Sequence, residues 1–159
     1  MTKWQSLAED LGEDDALVDL TDDQVEAMVD VLALIIHADE TVAPIEVAGF
    51  NHLVFNMPWT KGRRERLEDA VKGAASRARE AGADEEARQE IAHAASPRLG
   101  GAPVRERVFR MAATLAGVDL EVNAAEVRAL SWLAEALEID ADSARSIVER
   151  AEGGETRRE

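Results

Sequence analysis

The chain has 159 residues and no cysteine, and its 33 acidic against 18 basic residues give a formal net charge of −15 at neutral pH. This charge argues against binding to nucleic acid or docking on anionic lipid, because both need clustered Lys and Arg. The lack of cysteine excludes disulfides, a thiolate nucleophile and cysteine-based metal sites. The length suits one domain with a sizeable core.

The chain carries no signal for export or for crossing a membrane. Its first residues, MTKWQSLAEDLGEDD, contain neither the basic n-region nor the apolar h-region of a secretory signal. The longest strongly apolar run, residues 31–36, is too short to span a bilayer. We therefore expect a cytoplasmic protein with no direct membrane insertion.

Composition and patterning predict an all-α domain. Ala, Leu, Glu and Arg, which are abundant here, favour helices. Short alternating runs rich in Val, Ile, Thr and aromatics, which are typical of strands, are missing from the sequence. We expect about seven to eight helices in one compact domain over residues 1–152, followed by a flexible charged tail over 153–159.

The helix-period segments lie between Gly, Pro and polar breaks. In chain order they predict helices over residues 2–11, 22–39, 45–56, 61–81, 85–95, 105–116, 124–137 and 140–152. Thr21 is a good N-cap for the second of these helices, and Asp22 and Asp23 suit its positive end. The clearest predicted break is residues 96–103, which contain two prolines and two glycines.

Charge is distributed unevenly along the chain. The net charge is −12 over residues 1–60, +3 over 61–110 and −6 over the remainder. The middle segment predicts a basic flank that includes Arg63, Arg64 and Arg66, and Trp59 lies in a break between helices just before it. These four residues are our candidates for binding a protein partner; the alternative is an ordinary solvated helix face.

The sequence also contains an internal repeat. A shift of 80 residues aligns two copies of the pattern D-x-x-V-x-x-x-E-V, which begin at Asp39 and Asp119. Each copy follows one apolar helix and leads into another. We therefore expect a pseudo-twofold repeat of helix–acidic turn–helix units, with halves over about residues 21–81 and 102–152.

The repeat places four carboxylates, Asp39, Glu46, Asp119 and Glu126, at its two turns. Each Asp follows the end of an apolar stripe, where the helix dipole disfavours a negative charge, and each Glu lies in the first turn of the next helix. In one interpretation these residues cap helices and form ion pairs. In the other, they converge near the pseudo-axis and bind a divalent cation (Ca²⁺, Mg²⁺ or Mn²⁺) through oxygen ligands.

No motif in the sequence supports catalysis. The Gly100-Gly101 pair lacks the preceding strand and the following Lys of a phosphate-binding loop. Nothing resembles a nucleophile elbow or a metalloprotease motif. We therefore expect a non-enzymatic protein.

The repeated turn resembles that of the TerB-like family of tellurite-resistance and stress-associated bacterial proteins. In that family an apolar helix runs into an A-D-G-x-V-x-x-x-E turn and a second helix. Here residues 38–46 read A-D-E-T-V-A-P-I-E, and a second copy runs over 119–126. The family's glycine is replaced by Glu40 and Leu120. The resemblance covers about residues 25–148.

The resemblance implies a compact all-α domain without established catalytic activity, and a cation site at Asp39, Glu46, Asp119 and Glu126. It also implies protein partners in a membrane-associated stress complex. On this basis we expect a stress-response module that binds protein partners, with or without a divalent cation. The alternative is a metal-independent acidic helical adaptor.

Overall fold

A computed structural model describes residues 20–37, 44–55, 62–82, 84–116 and 124–153. These residues form seven α-helices and no strand, which confirms the predicted all-α class. The predicted helix over residues 2–11 lies outside the described residues. The helices are α1 (Asp22–Ile36), α2 (Pro44–Phe55), α3 (Arg64–Ala81), α4 (Glu85–Leu99), α5 (Ala102–Ala116), α6 (Ala124–Ala136) and α7 (Ala141–Gly153).

The start of α1 follows the prediction. The Thr21 hydroxyl accepts a hydrogen bond from the Gln24 amide at 3.1 Å, and the Gln24 side chain accepts one from the Thr21 amide at 2.8 Å. This capping box satisfies two backbone N–H groups at the end of the helix where Asp22 and Asp23 meet the positive dipole. The N-cap predicted from local sequence is therefore confirmed.

Helix α1 is the centre of the fold, since α2, α3, α4, α5 and α6 all pack against it. The helical spacing of six apolar residues predicts one apolar stripe on α1: Val25, Met28, Val29, Leu32, Ile35 and Ile36. These residues are buried, but so are residues off the stripe, including Ala27, Val31 and Leu34. A helix that is buried all round is typical of the inside of a larger helical assembly. A single stripe is the pattern of a helix that packs on one side only, so it predicts fewer buried residues than this central helix has.

Helix α1 ends at Ile36, earlier than the predicted end near Asp39. His37 is the C-cap, and its amide donates to the Ala33 carbonyl at 3.1 Å. The His37 carbonyl accepts a hydrogen bond from the Arg88 guanidinium at 2.6 Å. A cation at this end of α1 stabilises the negative pole of the helix.

The prediction of a break over residues 96–103 is wrong for residues 96–99, which are helical. Helix α4 continues through Pro97 to Leu99 and ends at Gly100, whose φ of 86° favours glycine. A proline near the end of a helix disrupts little of it, and the burial of Ala95 and Leu99 in the core offsets that cost. Helix α5 then begins at Ala102, with Pro103 in its first turn.

The helix boundaries follow the 80-residue repeat. Helices α1 and α5 both begin and end 80 residues apart, and α2 and α6 begin 80 residues apart. Each pair therefore occupies the same position in its half of the chain. The pseudo-twofold arrangement of the two halves in space stays a prediction.

Helices α5, α6 and α7 pack against one another at one side of the core. Helix α7 packs mainly against α5 and less closely against α6. The helical spacing predicts four inward apolar residues in the segment 124–137: Val127, Leu130, Leu133 and Leu137. Leu130, Leu133 and Leu137 are buried, along α6 or just past its end. Val127, which the sequence grouped with them, is instead 52% exposed.

Candidate functional site

The predicted basic flank lies at the start of α3, against the first turns of α1. The Arg63 guanidinium donates to the Leu20 carbonyl at 2.5 Å and lies 3.4 Å from the Asp22 carboxylate. Arg66 donates to Glu26 at 2.6 Å and lies 3.8 Å from Asp22. The hydrogen bond from Arg66 to Glu26, followed by the charges of Glu26 and Asp22, raises the pKa of Arg66. Both arginines are thus engaged within the chain.

Arg64 is the most accessible of the three candidate arginines, since its side chain is 74% exposed. It lies 3.6 Å from Glu68 on its own helix, and its guanidinium lies 5.3 Å from the centre of the Phe55 ring. This distance is typical of a cation–π interaction. Trp59 lies outside the described residues. Partner binding by these four residues stays a prediction.

A buried carboxylate that the sequence analysis missed lies between α1, α3 and α4. Asp30 is 6% exposed, and its two oxygens accept hydrogen bonds from Arg77 on α3 and from Arg98 on α4, the latter at 3.2 Å. Burial alone would lower the pKa of Arg98, but its hydrogen bonds and charge interactions with Asp23 and Asp30 raise it overall. A lone acid within the apolar run of α1 was the signal that could have predicted this cluster.

His37 lies at the C-terminal end of α1, close to two arginines. Burial, followed by the charges of Arg79 and Arg88, lowers the pKa of His37 below its usual value of 6.5. The chain leads from here into the first acidic turn of the repeat. Arg79 and Arg88 therefore give the described surroundings of His37 a positive charge.

The predicted cation site consists of four carboxylates at the two acidic turns of the repeat. Asp39 and Asp119 lie outside the described residues, and Glu46 and Glu126 are described only as backbone positions in α2 and α6. Among the described side chains, no group of three or more His, Asp and Glu could hold a metal ion. The cation site stays a prediction.

An open apolar groove of about 690 Å³ runs between α5, α6 and α7. Its buried lining residues are all apolar: Phe109, Leu130, Ala134 and Ile139. Val127, Ala144 and Val148 extend this surface toward solvent. Val127 is the one large hydrophobic residue that is exposed in the described part of the chain. The groove is thus an apolar surface that the described residues leave uncovered.

The polar lining residues of the groove are all exposed and form its rim: Ser131, Glu135, Arg145 and Glu149. Arg145 lies 3.9 Å from Asp142, on its own helix. Neither Glu135 nor Glu149 forms an ion pair with any described base. The groove therefore has an apolar floor and a rim with two carboxylates that are available to a ligand.

The chain was compared with models of protein families, with curated proteins and with solved structures, and none of them matches it. No described helix is both long enough and apolar enough to cross a membrane.

Proposed function

We propose that this protein is a non-enzymatic binding module that holds an apolar segment of a protein partner in the groove between α5, α6 and α7. The observation that carries this proposal is the open apolar groove with Val127 half-exposed at its edge. Uncovered apolar surface is unfavourable in water, so a contiguous patch of it marks a place where something binds.

The distribution of polar groups favours a protein segment over a small molecule. Small-molecule sites combine an apolar pocket with a few polar groups inside it that fix the orientation of the ligand. Here the buried lining residues are all apolar, and the polar groups lie on exposed side chains at the rim. A helix laid in a groove is instead oriented by apolar residues spaced at i, i+3, i+4 and i+7.

Selection of helical peptides from a displayed library against the protein tests this function. We expect the enriched peptides to share that apolar spacing. We expect the Val127→Gln variant to bind them about tenfold more weakly, because the contact of one buried valine side chain is lost. Ser76→Gln, at an exposed position of α3 away from the groove, is the matched control.

Enriched peptides without apolar spacing, or equal binding to wild type and Val127→Gln, would contradict the proposal. Thermal unfolding of both variants shows that they are folded. Because Val127 and Ser76 are both exposed, neither substitution removes core packing.

The stress-response role that the TerB-like resemblance implies is a finer form of this proposal, with or without a divalent cation at Asp39, Glu46, Asp119 and Glu126. Calorimetric titration of chelator-treated protein with Ca²⁺, Mg²⁺ or Mn²⁺ tests the cation. Saturable heat that is lost in Glu46→Gln/Glu126→Gln would support it. No heat at millimolar ion would leave these acids as capping and ion-pairing residues and favour the metal-independent adaptor.

A further inference from the structure

We propose that the segment held in the α5–α6–α7 groove is an amphipathic helix whose apolar face is flanked by Lys and Arg. This inference rests on the proposed function and specifies the chemistry of the partner. The charged residues on the rim of the groove carry this inference, because the apolar floor alone does not specify the charge of the bound helix.

The rim is acidic because its carboxylates are not neutralised locally. Glu135 on α6 and Glu149 on α7 line the groove, and within the described part of the chain neither of them pairs with a base. The one lining base, Arg145, lies next to Asp142. Binding of Lys or Arg there would therefore gain charge-assisted hydrogen bonds without breaking an ion pair of the protein.

The helices that form the groove are also acidic in sum. Residues 124–153 contain seven acids and three arginines, a net charge of −4, and α5 contains three arginines and one acid, a net charge of +2, which together give −2. One of these arginines, Arg128, lies 3.0 Å from Glu85 on α4. A cationic helix would be attracted to this face at long range and would be positioned by it on contact.

A second copy of this chain does not have the required chemistry. Two copies joined through the same groove would bring Glu135 and Glu149 of each copy into one interface, and like charges there are unfavourable. Each copy carries a net charge of −15, which adds to the repulsion. The described surface also offers no second large exposed hydrophobic besides Val127 to fill the groove.

Three synthetic amphipathic peptides of about 18 residues, long enough for about five helical turns, test the proposal. They share one face of Leu at i, i+3, i+4 and i+7 and carry Lys, Gln or Glu beside it. A fourth peptide has the Lys content without the apolar face. Binding of each fluorescein-labelled peptide is measured by anisotropy at low and high salt.

We expect the Lys-flanked peptide to bind about tenfold more tightly than the Gln-flanked one at low ionic strength, and this difference to shrink as salt is added. Glu135→Lys/Glu149→Lys should reverse the preference in favour of the Glu-flanked peptide. Glu65→Lys/Glu90→Lys makes the same change of charge at exposed positions of α3 and α4 and should leave the order of affinities unchanged.

The outcomes separate this inference from the function on which it rests. Equal binding of the three amphipathic peptides, weakened by Val127→Gln, would overturn the basic partner and leave the groove as a binding site. No binding of any of them would overturn both proposals. If the Lys peptide that lacks the apolar face bound as tightly as the Lys-flanked amphipathic peptide, the preference for Lys would be a general attraction of cations to an acidic protein. Self-association that is lost in Val127→Gln would make a second copy the occupant.

Discussion

The two faces of this protein use their acidic residues in opposite ways. On the face formed by α1, α3 and α4, the carboxylates of α1 form ion pairs with arginines from other helices. On the face formed by α6 and α7, the two carboxylates that line the groove have no described base as a partner, and the apolar surface beside them is open. Acids of the first kind hold helices together, whereas acids of the second kind are available to a partner.

The difference follows from the positions of the bases along the chain. The middle segment, residues 61–110, carries the net positive charge and folds as α3, α4 and the first part of α5. Helices α3 and α4 pack on α1, so the arginines meet the acids of α1. Arg105 of α5 pairs with Glu138 just after α6, but no described base pairs with Glu135 or Glu149, so these two carboxylates keep their negative charge uncompensated.

The largest effect on stability is expected at Asp30, the buried carboxylate on the face formed by α1, α3 and α4. Replacing both partners of Asp30, with Arg77→Met/Arg98→Met, leaves a buried carboxylate without compensation. We expect the free energy of unfolding, measured in urea, to fall by about 3–5 kcal/mol. Adding Asp30→Asn should recover part of this loss, because the uncompensated charge is removed.

The control for this prediction lies on the other face. Arg128→Met/Arg145→Met breaks two exposed ion pairs and should cost less than about 1 kcal/mol. If both double variants were destabilised to the same small extent, Asp30 would not depend on its arginines, and the contrast between the two faces would be lost.

The second largest effect distinguishes the floor of the groove from its edge. Leu130→Ala removes a buried side chain and should destabilise the protein by about 2–4 kcal/mol. Val127→Ala, one helical turn earlier, should change stability by less than about 0.5 kcal/mol, because that residue is already half-exposed. Similar losses in thermal unfolding for the two variants would mean that the groove is closed in solution.

A smaller effect is expected at the start of α1. Thr21→Ala removes the side-chain half of the capping box and should lower stability by about 1 kcal/mol. Thr21→Ser keeps the hydroxyl and is the conservative control. Urea unfolding that gives equal stability for Ala and Ser at this position would show that tertiary packing alone holds the first turn of α1.

The smallest effect concerns pH. The pKa of His37 is lowered in the folded state, first by burial and then by Arg79 and Arg88, so the unfolded chain binds the proton more tightly. The contribution of His37 to stability is therefore complete above pH 6.5, the usual value for His, and is lost as the pH falls below it toward the folded-state pKa.

The His37→Gln variant, unfolded in urea at about pH 5 and about pH 7.5, measures this contribution. We expect the variant to lose less stability than wild type on going to the lower pH. The hydrogen bond from Arg88 is made to the backbone carbonyl of residue 37, so the substitution leaves it in place. An unchanged pH dependence would contradict the prediction.

The sequence predicted the helices well because their signals are local. Thr21, Asp84 and Asp140 each accept a hydrogen bond from a backbone amide of the helix that they precede, as expected for residues with short polar side chains. The weakest prediction was the break around Pro97, where a local rule was outweighed by burial of the residues on either side. The starts of α1, α4 and α7, which carry these caps, were predicted to within one residue, whereas α3 and α5 begin three residues from their predicted starts.

The functional site was harder to predict because it depends on how helices pack. The repeated carboxylates follow from a pattern, but Asp39 and Asp119 lie outside the described residues, and their role stays a prediction. The groove has no sequence motif at all. Val127 and Leu130 have the same apolar spacing, and only the packing of the helices decides that the first is exposed and the second buried.

The sequence by itself determined the all-α class, most helix boundaries, the acidic character and the 80-residue repeat, because these depend on residue type and on spacing within one or two turns. The tertiary structure alone decided that α1 is buried all round, that Asp30 lies between Arg77 and Arg98, and that a groove stays open beside Val127. Each of these features joins residues that are far apart in the chain, and their contacts exist only once the helices have packed.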